Sequence, residues 1–292
     1  MNRVHRSDQN GVPIVTVAMS VLNGGDYLQL AVQSIVEQTF QDWELLILDD
    51  GSTDGAIDTL LSLGDPRISV IRDGQNKGLS ARLNQAIDMA RGRYLARMDH
   101  DDVSHPNRLT EQVAFLEEHP HVDLVATKCV TINELHQPLG ALPFASNHQD
   151  ICARPWMGFP MPHPSWMGRV SWFRRHYYQD PPPYCCEDNE LLLRAHEISA
   201  YHAIETTLLA YRVRSHSPWH KMWRTRKAML AEQINYFTRK RKFGFAALSC
   251  VVTFLRVMRD LRNEAFYRSG YSAIATNRSE VGDVEWIANI RH

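Results

Sequence analysis

Asp99-His100-Asp101-Asp102 follows the strand-like run Tyr94–Met98. Carboxylates at i and i+2 past a strand can bring two oxygens to one hard divalent cation, and Mg²⁺ or Mn²⁺ commonly joins such carboxylates to substrate phosphates. By spacing alone most such triplets are surface turns. A second acidic cluster, Asp49-Asp50-Gly51-Ser52-Thr53-Asp54, ends another apolar run. Its plain reading is a turn and a helix N-cap, because Gly tolerates φ > 0 and Ser, Thr and Asp cap helices. A strand-end carboxylate there can also accept the imide N–H of a pyrimidine. A third pair, Glu187-Asp188, precedes an apolar helical pattern. Acids at a helix start are favourable in themselves. Such a carboxylate is also a candidate general base for an acceptor hydroxyl.

These clusters need elements to position them. Ile14–Met19, Glu44–Leu48, Ile68–Ile71 and Tyr94–Met98 read as short buried strands. Between them, Leu28/Ala31/Val32/Ile35 and Leu83/Ala86/Ile87/Ala90 repeat with helical period, and a short helix is expected near Ile57–Leu63. Alternation at this spacing predicts an α/β layer with a mainly parallel sheet. Ligands of such sheets bind beyond the carboxyl ends of the strands, where Ser20–Asn23, Asp49–Asp54 and Asp99–Asp102 all fall. Further on, a helix is expected over Pro106–Glu118, strands over Asp123–Ala126 and Cys129–Asn133, a helix over Asp188–Ala195 and a strand over Thr206–Val213. Residues 137–186 are irregular and rich in Pro, Trp, His and Tyr. The sequence has no GxGxxG, Walker A, GxSxG or HExxH motif, which removes the commonest dinucleotide, NTPase, serine hydrolase and zinc protease readings.

The run VTVAMSVLNGGDYLQLAVQSIVEQTFQDWELLILDDGSTDG resembles the opening of family 2 glycosyltransferases of the GT-A fold. NKGLSARLNQAIDMARGRYLARMDHDDVSHPNRLTEQ, HPSWMGRVSWF, CCEDNELLLRA and LLAYRVRSHS continue that pattern in order, over roughly residues 12–217. The resemblance implies a GT-A, Rossmann-like, mixed and mainly parallel sheet flanked by helices, and an inverting single displacement. It implies a nucleotide-sugar site of Ser20, Asn23, Asp50, Gly78, Arg82 and Asp99, with Asp50 on the pyrimidine N–H. It implies Mn²⁺ or Mg²⁺ at Asp99 and Asp101, with His216 a possible third contact. Asp188 is the implied base. Glu187, His163 and Trp166 fall on the acceptor side, although His163 has a plainer reading as packing beside Pro164. Processive members carry a QxxRW motif and membrane helices; neither is present, so one sugar per acceptor is expected. A non-catalytic nucleotide-sugar-binding protein and a sugar nucleotidyltransferase remain as alternatives.

The expected organisation is an arm at 1–12, a catalytic domain at 13–217 (nucleotide half 13–105, acceptor half 106–217), a basic helical extension at 218–268 and a polar, loosely ordered tail at 269–292. The net charge of −1 is the sum of unlike parts: residues 219–268 carry about +9 and the remainder about −10. Aromatic and aliphatic residues interleave the basic ones there, including Trp219, Trp223, Phe243, Phe254 and Leu255. Such helices are expected to contact an anionic membrane surface through residues 219–268; the plainer alternative is a cover over the catalytic domain with solvated Arg heads. Nucleic acid is not an expected partner. The expected partners are a nucleoside diphosphate-sugar, such as a UDP-sugar, and a glycan or lipid-linked glycan. The expected location is the cytoplasmic face of the membrane. Five cysteines without a CxxC pair suggest neither zinc nor a redox motif.

Overall fold

The computed structural model describes residues 11–61, 64–213, 218–268 and 285–288. The first half alternates as the sequence predicts: β1 (Val15–Val21), α1 (Gly25–Val36), β2 (Trp43–Asp49), α2 (Ala56–Leu61), β3 (Ile68–Arg72), α3 (Leu79–Met89) and β4 (Tyr94–Asp99). Then follow β5 (Val103–Ser104), α4 (Arg108–Glu118), β6 (Leu124–Ile132), β7 (Pro138–Ala141), α5 (His148–Ile151), β8 (Met167–Arg169), α6 (Val170–Phe173), α7 (Glu187–Ala195) and β9 (Tyr201–Arg212). Two long helices, α8 (Trp219–Arg239) and α9 (Phe243–Arg268), and a short α10 (Glu285–Ala288) complete the described chain.

The described strands form one nine-stranded sheet, ordered β3-β2-β1-β4-β8-β6-β9-β5, with β7 against β6. Its long ladders are parallel; the antiparallel ones span two or three residue pairs each. Both faces are covered, so β1 and β2 are apolar almost throughout rather than alternating, as parallel strands with two buried faces require. One core packs Val17, Met19, Leu45 and Ile47 against Leu28, Val32 and Ile35 of α1. The other packs Ala18, Leu46 and Leu48 against Leu83, Ala86 and Ile87 of α3, and continues into Trp166, Trp172 and Leu191.

Two expectations are corrected. The strands expected at Asp123–Ala126 and Cys129–Asn133 are one strand, β6. The half-buried Lys128 interrupts the apolar run, and the irregularity lies in β9: Thr127 pairs with Ile204 but Lys128 with Thr207, so exposed Glu205 and Thr206 bulge out. The tail expected to be loose from residue 269 contains an apolar anchor. Ile287 of α10 is buried among Val103, Val130, Ile132 and Ala210, and Trp286 meets the His105 ring edge-on at 5.1 Å.

The helical extension is docked on the α/β body. Phe237 is fully buried, Gln233 Nε2 donates to Pro155 O (3.2 Å), and Lys240 and Lys242 both reach Glu197 (2.7 and 2.6 Å). Arg226 pairs with Asp260 (2.9 Å), tying α8 to α9. The outer face of α9 leaves Val251, Phe254, Leu255, Met258 and Leu261 exposed at helical spacing. Among the described residues no helix is long and apolar enough to cross a membrane.

Candidate active site

The ends of β1, β2 and β4 lie level. Ser20 is in register with Asp99, and Val21 with Asp49. The loops beyond are stitched to each other. Asn23, at φ 53°, donates its N–H to Ser52 Oγ (3.0 Å), and its Oδ1 accepts from Thr53 N (2.9 Å). Gly25 N donates to Asp54 Oδ2 (2.8 Å), and Ser52 N to Asp49 Oδ1 (2.8 Å). Gly51 sits at φ 85°, where a Cβ would meet the Gln75 backbone at 3.3 Å. The turn-and-cap reading of this cluster therefore describes Asp49 and Asp54.

Asp50 is held differently. It is buried, and accepts Lys77 N (2.7 Å), Gly78 N (3.0 Å) and Arg82 Nε (2.9 Å). Most of its acceptor capacity is used; Oδ2, with its single bond from Gly78, retains some. Arg82, expected at the nucleotide, has no exposed surface. Its N–H groups are turned to Asp50, Asp73, Gln75 O and Gln85, so any hold on a nucleotide passes through Asp50.

Asp99, Asp101 and Asp102 form a tight acidic group. Burial first, and then the Asp99 charge, raise the carboxyls of both Asp101 and Asp102, that of Asp102 strongly. Asp102 Oδ1 accepts from Arg212 N (2.8 Å), while its buried Oδ2 has no partner among the described residues. Oxygen donors that repel one another at a strand end fit a hard divalent cation, which keeps several waters and takes one or two carboxylates. Among the described residues no group of three or more His, Cys, Asp or Glu converges into a complete metal site. The carboxylates therefore fit a cation shared with substrate phosphates. His216 lies outside the described residues.

Beneath this group lies Arg97, which the sequence reading did not single out. It is 4% exposed, and its Nη2 donates to Asp99 Oδ1 at 2.5 Å. Burial opposes its charge, but Asp99, Tyr178, Asp102 and Glu187 outweigh that and hold it protonated. Its Nε and Nη1 have no partner among the described residues. The available signal was strand period: two residues before Asp99 on β4, Arg97 must share its face.

Arg97 also faces the Glu187–Asp188 pair at the start of α7. Burial and then Asp188 push the Glu187 carboxyl up to about 7. Burial raises Asp188 as well, partly offset by the Asn189 N–H at 2.7 Å. Buried His163 bonds through Nε2 to the Tyr178 hydroxyl (2.7 Å), and its Nδ1 lies 3.8 Å from Glu187 Oε1. Burial and then Arg97 hold its pKa well below 6.5, so the ring is neutral at pH 7. Asp188 and His163 open on a cleft of about 240 Å³ walled by Leu142, Pro160 and Tyr211. Trp166, expected to touch an acceptor, is fully buried. Its indole N–H donates to Met161 O (3.1 Å) and its ring packs 4.5 Å from His163, so it supports the site from below. Tyr178 and Arg212 are further participants that no local spacing marks.

Residues 16–176, more than half of the chain, match the model of glycosyl transferase family 2. EpsE of Bacillus subtilis is 36% identical over 168 residues, covering 56% of this chain and 59% of EpsE. Among solved structures, Staphylococcus aureus TarS 1–349 in complex with UDP superposes with a TM-score of 0.59 at 18% identity, over 76% of this chain and 65% of TarS 1–349. The mannosyltransferase PcManGT of Pyrobaculum calidifontis, in complex with GDP-Man and Mn²⁺, gives 0.57 at 15% identity, over 95% and 84%. The match thus spans less than two thirds of EpsE and of TarS 1–349.

Proposed function

This chain belongs to glycosyl transferase family 2, and from that premise we propose that it transfers one sugar from a nucleoside diphosphate-sugar to a hydroxyl of a glycan or lipid-linked oligosaccharide, with inversion. The observation that carries this reading is the meeting of two carboxylate groups around one buried cation. Asp99 and Asp102 at the end of β4, and Glu187 at the start of α7, all act on Arg97.

Each part has a role. Asp50, pinned by α3, offers its remaining acceptor capacity to the base N–H, with Ser20, Asn23 and Gly78 around it. Asp99 and Asp101 would hold Mn²⁺ or Mg²⁺. When bound, that ion supplies positive charge against the charge growing on the leaving diphosphate. Asp188 takes the acceptor proton as the hydroxyl attacks the anomeric carbon, and no protein nucleophile is required. Glu187, held toward its neutral form, adds a hydroxyl donor rather than a second charge beside the base. His163, neutral and fixed by Tyr178, shapes the acceptor cleft. The nucleotide half is 13–105 and the acceptor half 106–217.

Thermal shift with UDP-, GDP- and dTDP-sugars in Mn²⁺, followed by NMR of the product formed with the stabilising donor, tests the reading. Stabilisation by one donor and an inverted anomeric centre are expected. Retention, or no response to any donor, would overturn it.

The α9 face bearing Val251, Phe254, Leu255 and Met258 is proposed to rest on an anionic membrane on the cytoplasmic side. Arg259 and Arg262 lie beside that face, and the apolar side chains on it are uncovered.

A further inference from the structure

Behind the cleft that holds Asp188, a second, larger space opens between residues 143–160 and helices α8 and α9. It is an open groove of about 680 Å³. Arg226, Arg256 and Arg259 line it, with Phe144, Met157 and Met229 as apolar walls. Arg226 and Arg259 share one carboxylate, Asp260 (2.9 and 3.5 Å). Among the described residues Arg256 has no ion pair: its Nη2 donates to Met157 O (2.7 Å) and its Nη1 approaches Met229 Sδ (4.0 Å). The acid in the groove's own lining, Asp150, is bonded to Asn147 Nδ2 (2.7 Å) and is matched in charge by Arg154. The three helix arginines thus face each other over a single carboxylate. Burial, then Arg226 and Arg259, lower the Arg256 pKa, and the Asp260 charge offsets that only in part.

We infer that this groove is a subsite for a phosphate or diphosphate ester, the charged end of a lipid-carried acceptor. Guanidinium forks match phosphate oxygens in geometry as well as charge. The apolar walls suit the chain that carries the ester. Position supports the same occupant. Pro143, Phe159 and Pro160 wall both this groove and the Asp188 cleft, and Asn189, the neighbour of Asp188, lines the groove. On the other side, Arg259, more than half exposed, stands one helical turn from exposed Leu255 on α9. One end of the groove therefore adjoins the base and the other the exposed apolar stripe. The inference rests on the transferase reading for the identity of the acceptor, but its binding test does not.

Titration calorimetry on the full chain in EDTA compares farnesyl diphosphate with farnesol. EDTA keeps any metal from drawing the probe to the donor side. The diphosphate should bind at least about tenfold more tightly, and Arg256→Gln and Arg259→Gln should each weaken it about tenfold. Arg256→Lys should restore part of the loss. UDP should not displace the probe, and the variants should bind UDP with Mn²⁺ as the parent does. Arg259 is largely exposed, so its variant keeps the test open if Arg256→Gln loses stability. Equal binding of farnesol, unchanged binding by both variants, or displacement by UDP overturns the inference. So does a loss confined to flotation with phosphatidylglycerol vesicles, which would assign the arginines to lipid headgroups. A chain that binds farnesyl diphosphate in this way yet transfers no sugar would overturn only the transferase reading.

Discussion

At Glu187 and Asp188 the chemistry depends on how unequally two adjacent carboxyls are treated. Asp188 accepts hydrogen bonds that favour its anion, whereas Glu187 is held at about 7 by burial and by Asp188. Asp188→Asn should reduce turnover to background while leaving the donor Kd within a few-fold. Lost donor binding would instead remove Asp188 from the role of base. The Glu187 shift also sets a pH window for stability. Its folded pKa exceeds the ordinary 4.5, so the folded chain keeps a proton that the unfolded chain releases between 4.5 and about 7. That contribution is complete below 4.5 and is lost as pH rises through 7. Glu187→Gln should therefore be more stable than the parent at pH 8, by on the order of 2 kcal/mol. The difference in Tm should vanish toward pH 4.5. Asp101→Ala should weaken donor binding in Mn²⁺ by about tenfold or more. An unchanged Mn²⁺ dependence would remove Asp101 from the metal.

Elements enter through the contacts that hold those residues still. Buried Arg82 clamps α3 to the end of β2 through Asp50, so truncating it leaves a buried carboxylate without its cation. Arg82→Ala should cost about 3 kcal/mol and raise the donor KM together with that loss of stability. Chemical denaturation read beside donor titration checks both. A stable variant with normal KM would separate Asp50 from the nucleotide. The α3–β4 turn has less latitude still. A Cβ on Gly92 would lie 2.6 Å from Thr16 N, against backbone that cannot rotate away. Gly92→Ala should therefore lower Tm by several degrees without altering the site residues. Helix and strand periods made this half legible in advance. They failed at β6, where the lysine that breaks the apolar run answers a bulge in β9, seventy-odd residues downstream in the chain.

For the molecule as a whole, the net charge of −1 conceals an acidic body carrying a basic helical pair. Two readings of that pair, membrane contact and cover for the catalytic domain, turn out not to compete. α8 packs inward through Phe237 and Gln233, while α9 turns Val251, Phe254 and Leu255 outward, each more than half exposed. Cutting the chain near residue 217 would strip α8 from the body and confound any binding assay. Replacing Val251, Phe254 and Leu255 by Ser is the cleaner test. Flotation with anionic liposomes should fall severalfold while Tm stays within a few degrees of the parent. Undiminished flotation would remove α9 from the membrane contact.

The sequence by itself determined the alternating α/β half, the three polar strand ends and the order of the family motifs. These depend on side-chain period and turn chemistry, which act between near neighbours in the chain. Only the tertiary structure decided that Arg97 lies under both acidic groups, that Trp166 supports rather than lines the cleft, and that Arg226 of α8 and Arg259 of α9 share Asp260. It also seated Ile287 of the polar tail in the core. The meetings of Arg97 with Glu187, Arg226 with Asp260 and Ile287 with Val103 join residues far apart in sequence. Such contacts form where packing, burial and charge balance over the whole chain favour them, and they leave no period for a local reading to detect.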